Sequence, residues 1–324
     1  MRITSLPYHK NSAELFSRIA HRPYAIFLDS GHPHYADTRF DIMSAEPSQL
    51  ITDNNQDPFQ QCKQHLRNYA VEKKDNFPTL PFTIGVMGYF SYDAGRLLEK
   101  LPAIAKNDID LPTTCVGFYE WSIVVDHYEQ KTWLITLSEV QENKVSAWLN
   151  EKTNYQAFSI NKPFESNLPF ERYQDAFQIL QQHIQDGDCY EANLCQRFSS
   201  EYQGAPWHAY EKLRQKNPAP YSAFFNLESG AILSFSPERF IALSDNKAET
   251  KPIKGTRPRD KDPEIDQHNA YELLHSEKDK AENLMIVDLL RNDFGKCCVP
   301  GSIHVPSLFS LESFRNVHHL VSTV

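Results

Sequence analysis

The sequence contains no apolar run of the roughly 18 residues that a membrane-spanning helix requires, and its opening stretch, MRITSLPYHKNSAELF, lacks the apolar centre of a secretory leader. Both absences predict a cytoplasmic protein with no membrane partner. Cysteine is scarce, with six in 324 residues: Cys62, Cys115, Cys189, Cys195, Cys297 and Cys298. Scattered over so long a chain, they do not make the disulfide framework of a small secreted domain, and free thiols are expected. The adjacent Cys297 and Cys298 have no second Cys or His pair at ligand spacing, which leaves them a core or surface role rather than a zinc site. Positive charge is also short, 33 Lys and Arg against 42 Asp and Glu, for a formal net charge of -9. A nucleic-acid binder needs a dominant basic face to displace counterions from phosphate, so nucleic acid is not an expected partner. A small anion is compatible, because a local cluster of cations can focus one charged ligand into one cleft. Internal repeats and low-complexity segments are absent as well.

What is present describes a globular protein: hydrophobic residues make up 40% and charged residues 23%. A chain of this length buries roughly 75% of its unfolded surface, enough for one large core or two domains. SAELFSRIA has helical spacing, PYAIFLDS reads as a short buried strand, and FTIGVMGYFSYDAG is strand-like and punctuated by glycine. CVGFYEWSIVVDH and TWLITLS, separated by YEQK, read as a hairpin. The polar, prolyl stretch from Glu151 to Pro169 is the linker candidate, giving an N-terminal domain over 1–160 and a C-terminal domain over 161–324.

After the linker, FERYQDAFQILQQHIQDGD carries a helical stripe of Phe170, Tyr173, Phe177, Leu180 and Ile184 that stops at Gly187. CYEANLCQRFSSEY reads as a strand, APWHAYEKLRQKN as a helix, YSAFFNLESGAILSFSPERFIAL as a hairpin turning at Ser229-Gly230, and KAETKPIKGTRPR as another strand. SEKDKAENLMIVDLLRNDFG is a helix with Ser276 at its cap; Leu284, Met285, Ile286, Val287, Leu289 and Leu290 are expected on its buried side, and Gly295 at its end. The mixture predicts an α+β fold of antiparallel sheets packed as a sandwich with flanking helices.

Three groups could carry chemistry. Asp279 and Glu282 sit three apart on one helix face and are either a solvated edge paired with Lys278 and Lys280 or a site for Mg2+, which takes one or two carboxylates plus water and substrate oxygens. Glu238, at a strand end between Pro237 and Arg239, is either a general acid or the ion-pair partner of that arginine. Lys254 lies in the apolar-flanked PIKGT, where Gly255 permits close approach of a ligand to the backbone. Strand alternation points Lys254 and Thr256 to one face. With Lys251, Arg257 and Arg259 close in sequence, the ammonium form of Lys254 is disfavoured and its nucleophilicity raised, unless all four cations face solvent.

CYEANLCQRF, SFSPERFI, KPIKGTRPR, EKDKAENLMIVDLLRNDFG and NVHHLVSTV resemble, in order, the successive motifs of the chorismate-binding enzymes, a family that includes anthranilate, isochorismate and aminodeoxychorismate synthases. FLDSG, RFDIMSAEP, GYFSYDAGR and VGFYEWSIVVDH resemble the family's N-terminal domain. Within the family, the sequence looks most like component I of aminodeoxychorismate synthase, the subgroup that commonly carries a lysine in PIKGT. That resemblance implies covalent catalysis. Lys254 attacks C2 of chorismate, Glu238 protonates the departing C4 hydroxyl, and ammonia from a glutamine amidotransferase partner adds at C4 to give 4-amino-4-deoxychorismate, the precursor of p-aminobenzoate in folate synthesis. It also implies Glu282 as a Mg2+ ligand and Gly255, Thr256 and His319 as substrate contacts.

Three departures accompany the resemblance. Asp279 stands where relatives often have the longer glutamate. Glu191 of CYEANL stands where this subgroup often has Gln; it offers no replacement general base and is left a contact with the 4-hydroxyl or a bond to nearby backbone. The chain stops after VHHLVST, whereas family members run on through further substrate and Mg2+ residues, so exposed apolar surface and a tendency to aggregate are expected. Anthranilate synthase component I, and an inactive fragment that only binds the amidotransferase, are the alternative readings.

Overall fold

Ile26 to Asp29, the centre of PYAIFLDS, form an interior strand of a seven-stranded sheet. The computed structural model describes residues 1–35, 38–53, 57–68, 79–104 and 106–324, which group into two compact units. The first comprises Met1–Tyr155 with Ala209–Pro237, the second Gln156–His208 with Glu238–Val324. The segment Ala209–Pro237, expected with the C-terminal part, thus groups with the N-terminal sheet. Strand pairing is the cause: Ser222–Leu227 runs antiparallel to Ile26–Asp29, with Phe224 opposite Phe27.

In the first unit the seven strands lie in the order Arg2–Leu6, Lys131–Thr136, Trp121–Asp126, Phe40–Ser44, Ile26–Asp29, Ser222–Leu227 and Gly230–Ser234. The expected hairpin of Trp121–Asp126 with Lys131–Thr136 is present. CVGFYEWSIVVDH, however, is two strands: Thr114–Tyr119 belongs to a separate three-stranded sheet with Gln49–Ile51 and Gly85–Phe90. The two sheets meet over Ile26, Phe225 and Leu227 from one and Met87, Cys115 and Tyr119 from the other, which is the sandwich packing the alternation predicts.

A polar network is buried in the same unit. Arg214 donates through Nε and Nη2 to both oxygens of Asp29 at 2.8 Å, and Tyr210 donates to the same carboxylate. Asp41 is held by Ser12, by the Ser30 N–H and by His127 Nε2 at 2.8 Å. His32 stacks on His127 with ring centroids 3.9 Å apart.

The second unit carries a three-stranded sheet in the order Ile253–Pro258, Val317–Thr323, Ser307–Ser313, covered by the helices Pro263–His275 and Glu277–Gly295. KAETKPIKGTRPR is not one strand. Lys247–Glu249 pairs with Ala242–Ser244, while Ile253–Pro258 pairs with Val317–Thr323; between them Pro252 has no N–H to offer a ladder. CYEANLCQRF has no regular structure before Phe198, where Phe198–Ser199 form a short strand.

The helix Phe170–Asp186 ends as expected at Gly187, whose φ is 80°, but none of its residues is buried. The helix Glu277–Gly295 starts on Ser276, whose Oγ accepts the Asp279 N–H at 3.2 Å. Only the line Asp279, Asn283, Val287 and Phe294 is buried. Of the apolar residues expected inside, Leu284, Met285 and Leu289 are exposed, because the sheet covers one side of a helix that is apolar on several. Met285 and Leu289 line a groove of about 620 Å³ with Tyr190, Asp288, Arg291, Asn292 and Ile303.

Every strand pairing among the described residues is antiparallel, and the mixture of such sheets with helices is the expected α+β class. No helix among the described residues is long and apolar enough to cross a membrane. All six cysteines are free.

Candidate active site

The sheet of the second unit is irregular at the one place where the sequence puts its lysine. Ile253 pairs with Val321 and Thr256 with His319, so Lys254 and Gly255 together face the single residue Leu320. This is a β-bulge, a device that re-aims a side chain. It overturns the simple alternation expected for PIKGT. Gly255 takes a φ of 85°, a left-handed conformation that L side chains rarely adopt. A Cβ there would lie 2.9 Å from both Asp279 Cβ and Leu273 Cδ1. The close approach that demands glycine is therefore that of the two covering helices.

Lys254 Nζ lies 3.7 Å from Glu191 Oε1, with side chains 28% and 17% exposed. Glu191 Oε2 is buried and has no hydrogen-bond partner among the described residues. The pair joins the irregular CYEANL segment to the bulge.

The other cations of the segment are neutralised. Lys251 Nζ bonds Glu312 at 2.6 Å, Arg257 bonds Glu272 at 2.9 Å and Asp279 at 3.1 Å, and Arg259 bonds Asp266 at 2.8 Å. The expectation that these three depress the ammonium form of Lys254 is corrected accordingly: each has its own carboxylate, so little net positive charge is left to act on Lys254.

Thr256 Oγ1 and His319 Nδ1 share a hydrogen bond of 2.9 Å across the strand pair. His319 is buried and packs edge-on against Phe314. Burial lowers its pKa, against the opposing pull of a Gly255 backbone bond and the charges of Glu238 and Glu312. The neutral imidazole is the form the site holds at pH 7.

Glu238 lies beyond the end of the Gly230–Ser234 strand, and its Oε1 accepts the Ile253 N–H at 3.0 Å. The bond fixes this carboxylate beside the residue that precedes Lys254. Arg239, its sequence neighbour, pairs with Glu249. Lys254, Gly255, Thr256, His319, Glu238 and Glu191 are thus brought together by one strand pair and two segments that bond to it.

Glu282 lies on the covering helix Glu277–Gly295. It pairs with Lys278 at 2.7 Å, the lysine side chain being 77% exposed. Asp279 does not share its surroundings: it is 7% exposed, bonded to Arg257 and packed on Gly255. Among the described residues no three His, Cys, Asp or Glu side chains cluster to hold a metal. A single partly exposed carboxylate, tied only to a surface lysine, still fits Mg2+, whose shell is completed by water and ligand oxygens. An exposed pair of this kind is worth at most about 1 kcal/mol, so Lys278 is easily displaced.

Two functional supports escaped the sequence reading. Glu312 holds Lys251 beside the site. Asn283 donates to the Leu320 carbonyl and accepts from Ser322 Oγ, which locks the helix to the His319 strand.

Comparisons to known proteins show the family. The family model described as "chorismate binding enzyme" matches residues 24–324. Aminodeoxychorismate synthase component 1 of Escherichia coli (strain K12) is 42% identical over 340 residues, covering 99% of this chain and 74% of the relative. Among solved structures, anthranilate synthase component I from Streptococcus pneumoniae TIGR4 superposes with a TM-score of 0.76 at 27% identity, over 89% of this chain and 69% of that one. The menaquinone-specific isochorismate synthase from Escherichia coli shares the fold at a TM-score of 0.65 and 15% identity, over 99% of this chain and 69% of that one. A bulge-borne lysine set among carboxylates, on a chain matched by the family model almost from end to end, places this protein among the chorismate binding enzymes.

Proposed function

We propose that this chain is an aminodeoxychorismate synthase component I, joining chorismate and ammonia into 4-amino-4-deoxychorismate. The observation that carries the reading is Lys254, half-buried on its bulge between Glu191 and the bonded Thr256–His319 pair. A half-buried lysine can serve as a nucleophile, and a covalent intermediate divides one hard displacement into two easier ones. Lys254 Nζ bonds to C2 of the ring as the C4–O bond breaks. Glu238, fixed beside Ile253, gives the departing hydroxyl its proton. Ammonia then bonds at C4 and the C2–N bond breaks, returning the electron pair to Nζ. The proton that ammonia sheds restores Glu238.

Glu282 would hold Mg2+, which when bound supplies positive charge for the ring carboxylate. His319 and Thr256 orient the ring through their shared bond, and Gly255 lends its backbone to the same wall. A glutamine amidotransferase partner supplies the ammonia, a division that suits the "component 1" in the name of the Escherichia coli relative. A cytoplasmic setting suits six free thiols. The test is incubation with chorismate, ammonium chloride and Mg2+, followed by chromatography of the products. 4-Amino-4-deoxychorismate is expected; anthranilate, or unchanged chorismate, would overturn the reading.

A further inference from the structure

A lysine ammonium has no lone pair, so something must take a proton from Lys254 before it can form a bond to carbon. Neighbouring cations do not do this indirectly, since Lys251, Arg257 and Arg259 each meet a carboxylate of their own. The acceptor has to be a base within reach of Nζ. Most carboxylates around the bulge are already engaged. Glu238 is bonded to the Ile253 N–H, Glu312 to Lys251, Asp279 to Arg257 and Glu282 to Lys278.

Glu191 differs on both counts. Its Oε1 is 3.7 Å from Lys254 Nζ, and its Oε2 is buried without a hydrogen-bond donor among the described residues. Carboxylates that are meant to stay charged when buried are held by several donors. Here, among the described residues, Oε1 faces one ammonium and Oε2 no donor.

We propose that Glu191 is the proton acceptor for Lys254, an ion-pair partner in the open site that becomes a neutral partner once a ligand covers the pair. The inference rests on the reading of Lys254 as the nucleophile and adds the step that reading lacks. Covering the pair strips water from two charges, and desolvation favours the neutral acid and neutral amine over the separated ions. One proton moves from Nζ to the Glu191 carboxylate, and the freed lone pair attacks C2. When the C2–N bond later breaks, the pair returns to Nζ and Glu191 gives its proton back. No proton is left over. Glu191 therefore acts on the ring only through Lys254, and its task is distinct from that of Glu238, which serves the leaving hydroxyl.

The test compares wild type with Glu191→Gln in two measurements. In turnover with chorismate, ammonium chloride and Mg2+, Glu191→Gln should lower kcat by about 100-fold at pH 7, the scale of a lost general base. The deficit should shrink steadily as pH rises toward 10, where solvent deprotonates the lysine instead. In the free protein, labelling with trinitrobenzenesulfonate, read at the Lys254 peptide by mass spectrometry, should become faster, because the ammonium has lost its counter-charge. Structural damage would also slow turnover and expose the lysine to label, but its deficit would not shrink at high pH; relief of the deficit with rising pH is what marks a lost proton acceptor.

A deficit independent of pH, an unchanged kcat, or unchanged labelling would each overturn the proposal. If Glu191→Gln does not fold, Glu191→Asp takes its place: the proposal requires a partial deficit with an unshifted pH profile, and full wild-type rate or a pH-shifted profile counts against it. Lys254→Ala separates this proposal from the one beneath it. Wild-type turnover in that variant would end the nucleophile reading itself, whereas loss of turnover in Lys254→Ala with none of the Glu191→Gln effects would sink the proton-acceptor role alone.

Discussion

Asp279 occupies the space that a side chain on Gly255 would need, its Cβ lying 2.9 Å from where such a Cβ would be. The helix and the bulge are thereby fitted to each other at a single point. Gly255→Ala should destabilise the protein by about 2–4 kcal/mol, combining a left-handed φ with overpacking. Urea unfolding measures this. A loss below about 0.5 kcal/mol would show that the helix shifts freely.

Lys254→Ala should abolish product formation while leaving the unfolding transition within about 1 kcal/mol of wild type, since the side chain is partly exposed and its ion pair is loose. With ammonia withheld, wild type and chorismate should give a mass adduct on the peptide that contains Lys254. An adduct on another residue would contradict the assignment.

The Arg214–Asp29 ion pair is buried in the first unit, with side chains 2% and 0% exposed. Truncating one partner leaves a buried charge alone, and Arg214→Met should cost about 3–5 kcal/mol. The double variant Arg214→Met with Asp29→Leu should recover part of the loss. A single variant with an unchanged urea midpoint would contradict the burial.

Acid should weaken the first unit in two stages. His32 has its pKa lowered to about 4, by burial first and then by His127, Lys10 and Arg214, with Asp41 acting against them. An unfolded imidazole takes its proton near 6.5, so the unfolded chain binds that proton more readily. The contribution of His32 is complete above about pH 6.5 and declines as pH falls toward 4. Burial opposes the charge on Asp41, but bonds from His127, Ser12 and Ser30 outweigh it and lower its pKa. Its contribution is lost at lower pH still. Thermal melts by circular dichroism should show Tm falling from pH 7 to 4, with a shallower slope in His32→Gln. An identical slope in that variant would remove His32 from the account.

Glu282→Gln should raise the Mg2+ concentration needed for half-maximal turnover by at least about 10-fold and leave folding intact, because the side chain makes only a surface pair with Lys278. Titration calorimetry of Mg2+ in the presence of chorismate gives a second reading of the same loss. Unchanged affinity would move the metal elsewhere.

Local patterns carried much of the fold. The Ser276 cap, the Gly187 stop and the Trp121–Thr136 hairpin follow from side-chain chemistry and periodicity within a dozen residues, and each is where the sequence put it. Partners distant in the chain were not legible. Nothing in YSAFFNL says that it pairs with IFLD nearly two hundred residues earlier, and nothing in CVGFYEW says that it changes sheet at Glu120. The site shows the same division. Lys254 stood out by residue type and His319 by family resemblance alone, but the carboxylate facing Lys254 and those neutralising its neighbours depend on how distant segments meet. The outer apolar residues of the Glu277–Gly295 helix were read as core because composition records what could be buried, not what lies opposite.

The two-against-one step at Lys254 and Gly255 makes this strand sensitive to length as well as to identity. Removing either residue would leave one residue against Leu320 and keep Thr256 opposite His319, giving a regular ladder without the bend that aims Lys254. A substitution alters one contact, whereas a single-codon deletion would straighten the strand at the lysine itself. The length of the strand at this point is therefore as constrained as the identities of Lys254 and Gly255.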